Sequence, residues 1–201
     1  MSVFWLILAM LVWGLVHSLL ASLRAKEWTR RQLGPAADRC YRLGYNLFAL
    51  VSLVPIGWLL LVLPDRELYA LPAPWKYLMF AGQLAALVLL AVGVLQTGVG
   101  SFLGLSQLAS GETPAPARLV VIGLYRYVRH PLYAAGLAYI WLSPSMTVDR
   151  LTFYACVTIY ILLGALFEER KLRREFGAEY ARYAAATPML IPLPGRAKSD
   201  S

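Results

Sequence analysis

Long apolar runs separated by short polar segments dominate this chain. Three of them come close to the roughly 20 residues that a helix needs to cross a bilayer: about residues 3–23, 43–63 and 77–96. A shorter apolar segment at 132–142 cannot cross alone, and the last run, about 151–167, would complete a helical hairpin with it over about residues 131–167. The pattern predicts an all-α integral membrane protein with about five transmembrane helices.

The polar segments suggest how the chain is organised. The longest connection, 97–120, is rich in Gly, Ser and Pro, and connections of this length are usually functional or disordered. We predict an N-terminal three-helix membrane region over 1–96, a C-terminal region carrying the candidate chemistry over 97–192, and a loose tail over 193–201. After the last apolar run, charged residues continue as an amphipathic tail.

Composition and charge agree with a membrane protein. Of 201 residues, 59% are apolar and 15% are charged, which lies outside the range of soluble domains. The net charge of +8 does not indicate nucleic-acid binding, because the basic residues lie between apolar runs. Cys40 and Cys156 have no cysteine nearby, so we expect neither a disulfide framework nor a metal site. The first run lacks a basic leader, so we expect a retained helix.

The distribution of Lys and Arg predicts the orientation. Sixteen of the nineteen fall in a basic loop predicted over 24–42, in 97–131 and after 167, whereas Arg66, Lys76 and Arg150 lie in the alternate connections. Cytoplasmic segments carry the excess of basic residues. We therefore expect the N-terminus outside and the C-terminus inside, which requires an odd number of crossings. The expected location is a membrane, most simply a bacterial inner membrane.

One stretch, Gly123 to Tyr133, concentrates polar chemistry among apolar neighbours. It reads Gly-Leu-Tyr-Arg-Tyr-Val-Arg-His-Pro-Leu-Tyr. Pro131 suits the first turn of a helix, which would leave free N–H groups near His130 for an anionic group. The arginines could instead bind lipid headgroups, and the tyrosines could form an interfacial belt.

The predicted topology brings other polar residues to the same depth. His17, Asn46 and Gln96 lie toward the inner ends of three predicted spans, and Glu168 and Glu169 follow the last. Ionisable residues near spans are costly and usually functional. His17 could instead bond a backbone carbonyl, and Asn46 and Gln96 could join helices. Two carboxylates are unfavourable at a helix C-terminus, so they require a partner unless the helix continues and pairs Glu169 with Arg173. The residues alone predict a cytoplasmic polar pocket for an anionic or zwitterionic ligand.

Several motifs occur in a familiar order: Arg129-His130-Pro131-Leu132-Tyr133, a short apolar hairpin, Glu168-Glu169, and Phe176-Gly177 followed by Tyr180 and Tyr183. This half of the chain resembles the membrane methyltransferases that include isoprenylcysteine carboxyl methyltransferase and phospholipid N-methyltransferase. Two further motifs, Gly14-Leu-Val-His17-Ser and Pro188-Met-Leu-Ile-Pro192, are similar to the bacterial branch of methanethiol S-methyltransferases and NnrU-like proteins.

The resemblance implies S-adenosylmethionine as methyl donor and S-adenosylhomocysteine as product, with 97–192 as the catalytic region. Arg129 or the helix N-terminus at Pro131 would take the carboxylate of the donor, and Tyr180 and Tyr183 would close over it as a lid. His130 would also line the donor pocket, or it and Arg129 would only anchor the helix that does. The remaining implied donor contacts are Tyr133, Glu168 and Glu169.

The acceptor sets which residues would be catalytic. A thiol must lose its proton, and His17 is the candidate base. A carboxylate acceptor would need a cation instead, for which Arg173 is the candidate, and Glu168 is the third candidate catalytic residue. We expect a small thiol or a lipid-like acceptor entering from the bilayer, contacts with membrane lipids, no nucleic acid and no obligate protein partner.

Three alternatives remain open at this stage. The chain could be a phospholipid N-methyltransferase, an NADPH-binding membrane reductase similar to the C-terminal region of sterol reductases, or a non-catalytic membrane accessory protein.

Overall fold

A computed structural model describes residues 1–34, 36–100 and 119–192 of the chain. The predicted loose tail at 193–201 lies outside these residues. So do Arg118 and most of the connection predicted over 97–120.

Helices account for most of the described chain. They are α1 (Ser2–Ala21), α2 (Leu23–Leu33), α3 (Ala36–Val51), α4 (Val54–Val62), α5 (Trp75–Thr97), α6 (Pro131–Trp141) and α7 (Val148–Ala186). A 3-10 turn covers Gly123–Arg126. Two short strands, β1 (Glu67–Ala70) and β2 (Ser145–Thr147), pair in a two-stranded sheet, which is the one departure from the all-α prediction among these elements.

Four helices of the described chain are long and apolar enough to cross a membrane. They are Ser2–Ala21, Cys40–Val62, Trp75–Thr97 and Val148–Ala186. Helix α7 has 39 residues and is interrupted at Gly177, and its part before that residue, 148–176, is about 43 Å long at 1.5 Å per residue, which is longer than a bilayer core. Its apolar part ends at Phe167, so Glu168 and the following residues lie beyond the crossing segment. Helix α6 has 11 residues, or about 16 Å, and is too short to cross by itself.

The basic segment 24–42 was expected to be a loop, and this is wrong for the residues described there. Ser22 breaks the helix after α1 with an extended backbone, and its side chain accepts a hydrogen bond from Ala25 N to start α2. Gly34, with a positive φ, ends α2, and α3 begins at Ala36. Ser22 and Gly34 thus cap α2, and the first turns of α3 account for the rest of the described residues in this segment.

The chain forms two compact units. The first contains Met1–Tyr69, Thr97–Ala115 and Met146–Cys156, and the second contains Ala70–Gln96, Pro116–Ser145 and Val157–Ser201. These units are defined by packing. The division into functional regions near residue 96 stays a prediction.

In the first unit, three hydrogen bonds hold α1 antiparallel to α3 and to the residue that follows it. Trp13 Nε1 donates to Ser52 Oγ at 2.9 Å, and the Tyr45 hydroxyl lies 2.6 Å from His17 Nε2. Nearer the end of α1, the Tyr41 hydroxyl donates to the Leu20 carbonyl at 2.6 Å. Polar side chains between apolar helices join them in this way, because lipid offers no alternative partner.

In the second unit, α6 runs antiparallel along α5. Gly82 approaches Leu142 and Gly93 approaches Leu132 so closely that an added Cβ would collide with either leucine. Gln83 Nε2 also donates to the Tyr139 carbonyl at 3.0 Å. Small residues on α5 therefore allow the short helix α6 to pack against the central part of a long one.

The turn that leads into the Arg-His-Pro stretch depends on Gly123. Its φ is +61°, which side-chain-bearing residues rarely adopt, and a Cβ there would clash with the amide of Gln96. The same amide accepts a hydrogen bond from Leu124 N at 3.0 Å through its Oε1. Gln96 thus connects this turn to the end of α5. A connecting role was one of the two considered for this residue from the sequence.

We predict that Gly123→Ala destabilises the protein and that Gly136→Ala does not. The left-handed backbone alone costs about 1–2 kcal/mol for a residue with a Cβ, and the clash with Gln96 adds to this cost. Gly136 lies within α6 with open space around it, so alanine there should be neutral or mildly stabilising. Thermal unfolding of both variants in one detergent checks this, and equal melting temperatures would contradict it.

Candidate functional site

The start of α6 aims His130 at α7. Pro131 occupies the first turn, and a residue before proline avoids the helical region, so His130 adopts φ −123° and ψ 67°. No side chain caps the N-terminus of α6. The His130 ring is buried, and its Nε2 lies 2.9 Å from Glu169 Oε1.

Almost all of the hydrogen-bond donors of Arg129 bind acceptors within the protein. Its Nε and Nη2 bind the two oxygens of Glu169 at 2.8 and 3.0 Å, and its Nη1 donates to the carbonyls of Ala184 and Thr187. These bonds use four of its five N–H groups. The side chain is 11% exposed, so Arg129 serves mainly to join α7 to the residues that follow it.

Glu169 is the centre of this network. Its side chain is 9% exposed and accepts hydrogen bonds from Arg129, His130 and Tyr180. Burial alone would raise the pKa of Glu169, but the bonds from Arg129, Tyr180 and His130 outweigh burial and lower it. The carboxylate therefore stays charged inside the protein because its charge is shared with these donors.

A turn in α7 makes the bond between Glu169 and Tyr180 possible. Eleven residues of straight helix would separate the two by about 16 Å, yet the Tyr180 hydroxyl lies 2.6 Å from Glu169 Oε1. Gly177 has φ 53° and ψ −122°, which interrupts the helix between them and reverses its direction. Tyr180 is 1% exposed, and burial, followed by the hydrogen bond to Glu169 and the charge of Glu169, raises its pKa.

The residues that directly follow α7 are bound to Arg129 and His130 through backbone hydrogen bonds. Arg129 N donates to the Pro188 carbonyl at 2.9 Å, and His130 N donates to the Met189 carbonyl at 3.0 Å. Together with the hydrogen bond from Arg129 to the Thr187 carbonyl, these two backbone bonds hold residues 187–189 against the network. Backbone carbonyls have no side-chain signature, so sequence inspection did not identify these contacts.

Glu168 is the exposed member of the carboxylate pair. Its side chain is 45% exposed, and its Oε2 accepts a hydrogen bond from the Tyr133 hydroxyl at 3.0 Å and lies 3.6 Å from His130 Nδ1. The rings of His130 and Tyr133 stack at 5.3 Å with planes 9° apart. Glu168 and Tyr133 thus form a surface that remains accessible beside the buried His130 and Glu169.

Two further tyrosines border this surface. The Tyr183 hydroxyl donates to the Tyr125 carbonyl at 2.6 Å, which ties α7 to the turn before α6. Burial, and then the charge of Glu168, raise the pKa of Tyr125. Burial is also the main reason that the pKa of Tyr183 rises to about 12. Both hydroxyls therefore stay protonated at neutral pH and can act as hydrogen-bond donors.

The structure places all eight predicted donor contacts in the second unit: Arg129, His130, Pro131, Tyr133, Glu168, Glu169, Tyr180 and Tyr183. Arg173 is exposed on α7, and Glu169 pairs with Arg129 across the fold. His17 belongs to the first unit, where its ring stacks on Trp13 at 4.7 Å. The ligand and catalytic roles of all these residues stay predictions.

The first unit also contains an apolar cavity of about 420 Å³ lined by side chains of α1, α3 and α4. Ser52 is the one polar residue in its wall, and Trp13 lines the cavity while it stacks on His17. The cavity suits an apolar molecule, with the imidazole behind one of its walls.

The arrangement limits the chemistry that the site can do. Glu168 can receive a cation or hydroxyl groups, and the uncapped N-terminus of α6 can receive an anion. Among the described residues, no three His, Cys, Asp or Glu side chains form a group that could hold a metal ion. The geometry therefore fits a ligand with positive and negative groups.

We predict that Arg129→Gln destabilises the fold strongly. It would leave the buried Glu169 without its cationic partner, and breaking such a pair costs about 3–5 kcal/mol. Arg174→Gln is the matched control, because that side chain is exposed on α7. Limited proteolysis and thermal unfolding should show early release of residues 187–192 in the Arg129 variant only. Normal stability of that variant would contradict the role of Arg129 in holding these residues.

We also predict an acid-sensitive contribution to stability from Glu169. Because the pKa of Glu169 is lowered by folding, its contribution is complete above the ordinary pKa of a glutamate and is lost as the pH falls through the lowered value. The melting temperatures of the wild type and of Glu169→Gln should therefore keep a constant difference above the ordinary glutamate pKa of 4.5 and converge as the pH is lowered from that value through the lowered pKa. A difference that stays constant below that value as well would show that the carboxylate charge is not the cause.

Comparison with known proteins places this geometry in a family. The family model described as NnrU protein matches residues 5–189, which include the whole network. Methanethiol S-methyltransferase 1 from Bradyrhizobium diazoefficiens is 31% identical over 189 residues, covering 92% of this chain and 65% of that protein. This chain thus spans slightly less than two thirds of that relative.

Other relatives are similar at the same level. Methanethiol S-methyltransferase from Crocosphaera subtropica is 30% identical over 196 residues, covering 92% of this chain and 72% of the relative. Human Nurim is 28% identical over 184 residues, covering 83% and 70%. No solved structure matches the chain. With a family model that spans nearly its whole length, this chain belongs to the NnrU family of membrane proteins.

Proposed function

We propose that this chain is a membrane methyltransferase that uses S-adenosylmethionine and a small thiol. The observation that carries the proposal is the contrast between two neighbouring carboxylates. Glu169 is buried and bonded to other side chains of the protein, whereas Glu168 is about half exposed and accepts a hydrogen bond from Tyr133 beside His130. The family and the names of its relatives support a methyl-transfer role for this surface.

The residues present fit the donor. Glu168 would bind its ammonium group or its ribose hydroxyls, because a carboxylate accepts charge-assisted hydrogen bonds from either. The uncapped N–H groups at the start of α6 would bind its carboxylate. Arg129 has its donors committed to Glu169, Ala184 and Thr187, so the helix N-terminus is the better of the two predicted partners for the carboxylate.

The donor supplies an electrophilic methyl group on a sulfonium. What remains for the protein is to position the acceptor, exclude water and remove the proton of a thiol. We assign proton removal to His17, whose Nε2 is bonded to the Tyr45 hydroxyl and whose ring adjoins the wall of the apolar cavity. The acceptor sulfur would take the methyl group as the sulfonium–carbon bond breaks, and the imidazole would hold the thiol proton.

We also propose five crossings, with the C-terminus and the donor site in the cytoplasm. Four helices are long enough, and α6 together with residues 142–144 and β2 would make the fifth. The antiparallel contacts of α6 with α5 support this passage, as does the distribution of basic residues.

Donor binding tests the site directly. We expect calorimetry in detergent to detect S-adenosylhomocysteine and not NADPH, and we expect Glu168→Gln to weaken binding about 10-fold or more, since bonds to a charged group contribute about 1.5–3 kcal/mol. Glu175→Gln, exposed on the same helix, should bind normally. Binding of NADPH would favour a reductase, and binding of neither ligand would favour an accessory protein.

Turnover tests the acceptor and the base. With labelled donor, methanethiol and other small thiols should be methylated faster than isoprenylated cysteine analogues or amine lipids. His17→Gln should lower the rate most near neutral pH and least at alkaline pH, where the thiol ionises unaided. An unchanged pH profile in this variant, with the donor still bound, would remove His17 from the mechanism.

A further inference from the structure

The short helix α2 has a surface composition that no part of the proposed methyl transfer uses. It contains four basic residues, Arg24, Lys26, Arg30 and Arg31, against one acidic residue, Glu27. None of its residues is buried, and three large apolar side chains on it are well exposed: Leu23 at 71%, Trp28 at 65% and Leu33 at 71%. A helix that exposes both classes is typical of a membrane interface.

The ends of α2 keep it beside the bilayer. It starts one residue after α1, the first helix that can cross, and it ends at Gly34, just before α3. The extended backbone of Ser22 breaks the axis of α1 at the point where its apolar sequence ends. The Tyr41 hydroxyl then ties α3 back to the Leu20 carbonyl, so α2 joins the near ends of two crossing helices.

The exposed side of α2 has an ordered pattern. Ala25 and Thr29 are half-buried and mark the side that packs on the first unit. Arg24, Trp28 and Arg31 are exposed at i, i+4 and i+7, which places them in one stripe along the helix. Within the described residues, neither guanidinium of this stripe has a hydrogen-bond acceptor or an ionic partner.

We propose that this stripe binds the phosphates of anionic phospholipids, with α2 lying in the headgroup region of the bilayer. Trp28 would occupy the boundary between headgroups and acyl chains, as indole rings do, and Arg24 and Arg31 would each reach a phosphate beside it. The partner is a lipid surface because both helices next to α2 already enter the bilayer. Charge complementarity then selects anionic headgroups over zwitterionic ones.

The position of Trp28 between the two arginines allows a local test. The full chain is reconstituted in vesicles of phosphatidylcholine that contain brominated phosphatidylglycerol or brominated phosphatidylcholine, and tryptophan quenching gives the relative affinity of the two lipids. The share of the signal that belongs to Trp28 is the part lost in Trp28→Phe. We expect a preference of about 5-fold per arginine for the anionic lipid at Trp28.

Arg24→Gln/Arg31→Gln should reduce this preference to nearly 1. The matched control is Arg66→Gln/Lys76→Gln, which removes the same charge from positions outside α2 and should keep the preference. High salt should weaken it in the wild type. Equal quenching of Trp28 by both lipids in the wild type, or an equal loss in the control, would overturn the proposal. Donor binding by the arginine variants should be normal, which separates this inference from the proposed methyl transfer.

Discussion

The buried carboxylate of Glu169 is the constraint on which the second unit depends. A charge with so little exposure is tolerated only if donors surround it, and the fold supplies Arg129, His130 and Tyr180 from separate parts of the chain. Each donor imposes a requirement of its own. Tyr180 requires the reversal at Gly177, Arg129 binds the carbonyls of Ala184 and Thr187, and His130 sets where α6 begins. Such a network contributes more to the choice of one arrangement than to net stability.

The same network separates two glutamates that are adjacent in sequence. On a helix, neighbouring residues point about 100° apart, so Glu169 faces the protein interior while Glu168 faces the surface formed with Tyr133. The inner carboxylate holds the first residues of α6 in place, and the outer one remains accessible. A motif of two identical residues therefore combines a structural role with a proposed binding role, and the buried role keeps the exposed one in position.

The first unit follows the physics of helices in lipid. Its apolar helices are joined by a few hydrogen bonds, of which the bond between Tyr45 and His17 is the one with proposed chemical importance. The tyrosine fixes the orientation of the imidazole, and the stacked indole of Trp13 covers one face of the ring. His17 therefore has a bond to a tyrosine hydroxyl, where one alternative from the sequence was a backbone carbonyl, and a place beside an apolar cavity.

The sequence by itself determined the class of protein, because apolar runs of sufficient length have no other stable environment than a bilayer. The start of α6 followed from Pro131, and the ordered motifs identified the residues that the structure brings together. The distinction between Glu168 and Glu169, and the commitment of Arg129 to Thr187 and Ala184, were decided only by the tertiary structure. They depend on a helix reversal and on backbone carbonyls far along the chain, and neither leaves a local pattern of side chains. Likewise, the segment after α1 forms helix α2 because Ser22 and Gly34 cap its two ends. The number of basic residues in the segment does not reveal this.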